Sequence, residues 1–199
     1  GALVIILNFF ASVAMIWGQD NPSLLQMAVP SLNIAPDARG GGMGDMGAAT
    51  LPDINSQYWN AAKYAFMGSK AGVSLSYTPW LRKLVNDVAL VNMTGYYKLG
   101  NSDLQAISAS LRYFSLGEVN IWENIGDVPY GLNPYEMAFD VAYSRKLSES
   151  YSMAVTLRYI RSDMGTDQND ESNAGNAFSA DISGYLEKYV LMGNAEALW

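Results

Sequence analysis

From Gly68 onward the chain alternates between two kinds of residue with period 2, and six segments carry this signature. In 73–78, Val73, Leu75 and Tyr77 alternate with Ser74, Ser76 and Thr78. The pattern returns in 89–97, where Ala89, Val91, Met93 and Tyr97 oppose Leu90, Asn92 and Thr94. It returns again in 106–114, 136–144, 151–159 and 178–187. Successive side chains of an extended strand point to opposite faces, so each segment reads as a two-faced β-strand. Leu99–Asp103 and Lys146–Ser150 read as tight polar turns, whereas 79–87, 116–134 and 162–176 are longer irregular connections. The expected fold class is therefore all-β and antiparallel.

The chemistry of the two faces decides what such a sheet is for. A soluble antiparallel sheet also alternates, but its polar face meets water and is rich in Lys, Glu and Thr. Here the polar face is mostly Ser, Ala, Thr and Asn, with sparse charges such as Arg112, Asp140, Arg158 and Asp181. Small polar residues with a few opposed charges suit the crowded interior of a barrel. Tyr77, Trp80, Tyr97, Tyr113, Tyr143, Tyr151 and Tyr159 fall near strand ends, as in the aromatic girdles of a transmembrane β-barrel. Short turns alternating with long loops fit the same architecture. Only 16% of the residues are charged, below the usual ~25% of a soluble domain.

The N-terminal third reads differently. Ala2–Trp17 is apolar except for Asn8 and Ser12; it is short for a membrane span and fits the hydrophobic core of an export signal. We expect residues 1–18 to be a signal peptide whose natural start is missing, the alternative being a retained anchor. Residues 30–66 hold Gly40, Gly41, Gly42, Gly44 and Gly47, but no Lys-Ser/Thr follows and no apolar strand feeds in, so this is not a phosphate loop. It reads as a compact irregular segment, with a short helix within Asp53–Ala65 capped by Asp53 or Asn55.

Composition removes whole classes of chemistry. The chain has no Cys and no His, so there is no thiol nucleophile, disulfide framework or His-based triad. No metal site and no cofactor are expected; the acidic run at 162–176 does not match a calcium loop. A net charge of −7 with scattered Lys and Arg argues against nucleic acid. No catalytic residue is assigned, and the expected role is non-enzymatic. The inward charges Arg112, Asp140, Arg158 and Asp181 read as a structural network, since an unpaired buried charge is costly.

The stretches APDARGGGMGD (35–45), YTPWL (77–81), LRYFSLG (111–117) and AYSRKLS (142–148) together resemble the PorV family. These are outer-membrane proteins of the type IX secretion system of Gram-negative bacteria, related to the FadL-like barrels. Asn60-Ala61-Ala62 departs from the Asn-Pro-Ala common in the wider group. The resemblance implies a 14-stranded barrel. Residues 19–67 would then be an N-terminal plug, and 68–199 the first half of the barrel with about six or seven strands, a seventh starting near Tyr189.

The resemblance also implies a function of binding and handover. Such a protein accepts exported cargo through a C-terminal sorting domain and passes it from the translocon to the cell-surface attachment complex. Its partners would be those proteins, the cargo and outer-membrane lipid. Loop residues Trp80, Trp122, Asn124 and Tyr130 are the candidates for partner contact. The competing expectation is a FadL-type channel for fatty acids or other hydrophobic molecules, gated near Met43–Met46.

Overall fold

The computed structural model describes residues 29–80, 87–100, 104–121, 130–164, 174–192 and 195–198. The expected signal peptide lies outside them. The fold is mostly antiparallel sheet. Its strands are β1 (Ala71–Pro79), β2 (Val88–Leu99), β3 (Gln105–Leu116), β4 (Val119–Ile121), β5 (Tyr130–Leu132), β6 (Tyr135–Lys146), β7 (Tyr151–Asp163), β8 (Gly175–Leu186), β9 (Tyr189–Met192) and β10 (Ala195–Leu198). A six-stranded sheet runs β1-β2-β3-β6-β7-β8 with every neighbour antiparallel. All six expected strands are present, most of them several residues longer than the alternation alone delimits.

Two segments differ from expectation. The 116–134 connection is not wholly irregular, because β4 and β5 pair within it as a ribbon, Ile121 facing Tyr130. The expected seventh strand is instead a short hairpin in which β9 pairs with β10, Met192 facing Ala195. Only the dipeptide Gly193-Asn194 separates those partners, a composition that favours reversal over extension.

The two faces of the large sheet are inverted relative to a soluble domain. One face carries Leu90, Asn92, Thr94, Ser108, Ser110, Arg112, Glu136, Asp140, Ser144, Ser152 and Thr156, all buried. The opposite face carries Val73, Leu75, Met93, Leu111, Phe139, Val141, Val155, Leu157, Phe178 and Ile182, all exposed. No helix among the described residues is long and apolar enough to cross a membrane.

The buried face is covered by residues 29–67. This segment forms a 3₁₀ turn at Pro30–Asn33, helix α1 (Ala38–Gly42), helix α2 (Ser56–Trp59) and a 3₁₀ helix at Ala61–Phe66. Ala61, Ala62 and Tyr64 pack with Tyr96, Ala106, Ala142, Ala154 and Tyr185 into one core. The small residues of the sheet are what let the covering segment lie so close. The expected short helix is thus two, and its cap is shared. Asp53 accepts the Asn55 N–H at 3.1 Å, Asn55 makes no side-chain cap bond, and Asn60 caps the 3₁₀ helix through the Ala62 N–H at 3.1 Å.

Candidate functional site

The candidate site is the covered face of the sheet together with the segment that plugs it. Trp59 organises the glycine-rich run. Its indole Nε1 donates to Asp37 Oδ1 at 3.0 Å, and Asp37 Oδ2 accepts the Gly40 N–H at 2.7 Å, capping α1. The ring lies against Gly40 and Gly47: a Cβ on Gly40 would sit 2.6 Å from Trp59 Cζ2, and one on Gly47 would fall inside the indole. Gly41 and Gly42 have open space instead. Two of the five glycines are therefore packing requirements, which residue type alone did not distinguish.

Lys63 anchors the same run from below. The side chain is fully buried, and its ammonium donates to the Gly47 carbonyl at 2.7 Å and to Thr50 Oγ1 at 3.2 Å. Both acceptors are neutral. Burial holds the Lys63 pKa below its ordinary value, with the Asp53 carboxylate opposing that shift. Desolvation likewise raises the Tyr64 phenol, whose hydroxyl donates to the Ile54 carbonyl at 2.8 Å.

Hydrogen bonds tie the plug to the sheet at widely spaced points. Ser76 Oγ donates to the Pro36 carbonyl at 2.6 Å, and Ser108 Oγ to Gln57 Oε1 at 2.5 Å. Ser152 Oγ donates to the Ala62 carbonyl at 2.7 Å, and Asn60 Nδ2 to the Gly184 carbonyl at 3.0 Å. Tyr64 stacks on Tyr96 with centroids 4.9 Å apart. The small polar residues of the strands thus act as donors to plug carbonyls, as buried polar groups require.

The four charges expected to face inward divide into two groups. Asp140 and Arg158 are direct partners across β6 and β7. Arg158 Nε donates to Asp140 Oδ1 at 2.6 Å and Nη2 to Oδ2 at 3.3 Å, while Ser110 Oγ donates to Oδ2 at 3.2 Å. Asp181, half exposed on β8, stands 3.8 Å from Arg158 Nη1. Arg112 takes a different partner. Its Nη1 donates to the Ser31 carbonyl at 2.9 Å, and its guanidinium lies 4.5 Å over the Tyr58 ring. Glu136 completes the grip by accepting the Ser31 N–H at 3.1 Å. The backbone N–H and carbonyl of the buried Ser31 are therefore held by Glu136 from β6 and Arg112 from β3, the guanidinium bond being of the stronger, charge-assisted kind. Glu136 is a residue that sequence reasoning missed as a site member; its inward parity beside Arg112 was the available signal.

The loop candidates lie away from this network. Trp80 is exposed and its backbone N–H donates to the Val88 carbonyl at 2.9 Å, closing the loop base. Tyr130 opens β5. Trp122 and Asn124 lie outside the described residues, as does most of the acidic run at 162–176. Met43 and Met46 are exposed at the edge of the plug, on a turn where Gly44 and Asp45 take positive φ of 74° and 60°.

No curated protein matches the chain. One family model does, described as type IX secretion system protein PorV, and it matches residues 18–196. That span takes in the plug, the six-stranded sheet and the charge network, so the chain belongs to the PorV family of type IX secretion system proteins.

Proposed function

We propose that this chain is part of an outer-membrane β-barrel that binds exported cargo and shuttles it from the type IX translocon to the attachment complex. The observation that carries the reading is the inverted sheet: buried Ser, Thr, Asn and paired charge on one face, exposed Val, Leu, Ile and Phe on the other. A sheet so built matches the wall of a transmembrane barrel, whose outward face is apolar toward lipid and whose interior is polar. Lipid also forbids open strand edges, so β1 and β8, which have no further neighbour in the six-stranded sheet, call for more strands to close a barrel, 14 by family resemblance. The family match supports the secretion role.

In this reading the plug blocks the lumen and the long connections carry partner contact. Trp80, Trp122, Asn124 and Tyr130 remain the proposed contacts, with Trp80 exposed at its loop base. The paired charges Asp140 and Arg158, flanked by Asp181, hold the wall, and Arg112 holds the plug. A hydrophobic-compound channel is less well supported. The lumenal face beneath the plug is polar, and the apolar recess of about 500 Å³, lined by Gly95, Ala109, Met93 and Phe139, opens on the opposite face.

The test is a pull-down of the full-length protein from outer membranes in mild detergent, with mass spectrometry of what co-purifies. Recovery of the translocon or of proteins with a C-terminal sorting domain is the expected result. Recovery of the barrel alone with bound fatty acid would sink the shuttle reading and favour the channel.

A further inference from the structure

The exposed face of the sheet is apolar between two aromatic rows. One row, at the end of the long connections, contains Tyr113, Tyr135, Tyr159 and Phe178; the other, at the short turns, contains Tyr97, Tyr143 and Tyr151. On β6, Tyr135 and Tyr143 are separated by about 26 Å along the strand at ~3.3 Å per residue, which a tilted strand fits to a ~25 Å apolar band. Between the rows, outward positions of β6 and β7 are Met137, Phe139, Val141, Met153, Val155 and Leu157, without a charge. Arg161 breaks the pattern. It stands on this outward face of β7 at the long-connection row, opposite Met137 on β6 and Asn176 on β8.

Its surroundings form a polar notch within the aromatic row. Tyr159 precedes Arg161 by two positions on the same face of β7, and Tyr135 stands diagonally across from it on β6. Tyr135 is stacked on Tyr113 with centroids 5.5 Å apart, and Tyr159 is packed on Phe178 at 5.1 Å. The Tyr159 hydroxyl donates to Asn176 Oδ1 at 2.7 Å, which fixes that ring. Arg161 Nε is shielded from water and has no hydrogen-bond partner among the described residues. The acidic neighbour on this face, Asp163, lies one step nearer the loop, opposite Tyr135, and is itself engaged. Nε is closed to a ligand, so the terminal guanidinium nitrogens, at headgroup depth on a lipid-facing wall, are what an anion with several acceptor oxygens would meet.

We propose that Arg161, with Tyr135, Tyr159 and Asn176, is a binding site for the phosphate of a lipid headgroup in the leaflet at the long-connection end. The site rests on the barrel reading above, but not on cargo handling. Phosphate fits better than carboxylate, because its oxygens reach the guanidinium and the Tyr135 hydroxyl together, while the Tyr159 proton is already given to Asn176. The acyl chains of the same lipid would lie down the apolar face below, along Leu157 and Val155.

The experiment uses the full-length protein in nanodiscs and native mass spectrometry. The probes are dioleoyl phosphatidic acid and the phosphate-free diacylglycerol. Wild-type protein is expected to retain phosphatidic acid about ten-fold over diacylglycerol, as charge-assisted recognition requires. Arg161→Gln is expected to bring that ratio close to one and Arg161→Lys to leave an intermediate ratio, while Arg145→Gln near the opposite row leaves it unchanged. Equal ratios in wild type and Arg161→Gln, or an equal loss in Arg145→Gln, would overturn the site. Displacement of the lipid by millimolar inorganic phosphate would overturn the lipid assignment in favour of a free-anion site. Heat-modifiable gel mobility checks the fold of each variant. A wild type without it refutes the barrel reading and this site together, whereas a heat-modifiable wild type that does not discriminate refutes only the site.

Discussion

Gly47 and Gly41 lie in the same glycine-rich run, yet replacing each by Ala is expected to act with opposite sign. A methyl on Gly47 would occupy the space of the Trp59 indole, which is itself pinned through its Nε1 bond to Asp37 at 3.0 Å. Overpacking of this kind costs about 1–3 kcal/mol. Gly41 lies within α1 with open space where a Cβ would stand, so Ala there gains helix propensity of up to ~1 kcal/mol. At 1.36 kcal/mol per factor of ten, local opening of the plug rises about 5- to 150-fold in Gly47→Ala and falls up to ~5-fold in Gly41→Ala. Hydrogen exchange supplies the readout, since water reaches a plug inside a lumen where a protease does not: the α1 amides of Gly41 and Met43, bonded to the Asp37 and Arg39 carbonyls at 3.1 Å, exchange once the helix opens. Their exchange rates in detergent-solubilised protein then follow the opening constant. Equal rates for the two variants, or faster exchange in Gly41→Ala, would refute the packing role of Trp59 and return the run to an unstructured linker.

Three further outcomes follow from the contacts. Asp140→Asn removes the carboxylate that receives two bonds from Arg158, and a loss of about 2–4 kcal/mol is expected because Asp181 offers only partial replacement; thermal stability in detergent measures it, and an unchanged midpoint removes the pairing idea. Arg112→Gln should loosen the Ser31 end of the plug by about 1.5–3 kcal/mol, seen as faster hydrogen exchange at residues 29–36, while protection of Ala61–Phe66 persists. Lys63 gives a pH dependence. Its folded pKa is depressed, so the unfolded plug binds more protons between that value and the unfolded 10.5, and plug stability rises with pH through this window. The urea midpoint of the plug should climb as pH approaches 10.5 from below and lose that climb in Lys63→Met; a midpoint that falls on this approach contradicts the buried-lysine account.

Much of the wall was legible from alternation because a strand maps odd and even positions to opposite faces whatever its neighbours are. That is why Val73–Thr78 and 151–159 were readable as two-faced, and why Arg112, Asp140 and Arg158 were all assigned inward. Partner choice was not readable. Asp140 stands within reach of two arginines by parity, and only the β6–β7 register sets it opposite Arg158. Arg112 meets instead a peptide 81 residues earlier in the chain, a contact without any local pattern. The β4–β5 ribbon escaped notice because three-residue strands are too short for periodicity to register.

The glycine run marks the same boundary. Its composition alone excluded a phosphate loop, since the residues that would follow one are missing. Which glycines are obligatory depended on where Trp59 packs, and that position is set by Asp37, Gly40 and Gly47 together. Residue type and spacing determine which face of each strand is apolar, because successive side chains point to opposite sides. Tertiary structure decides which polar groups meet, because hydrogen-bond partners distant in sequence are chosen by register and by the path of the covering segment. Local sequence carries no record of either.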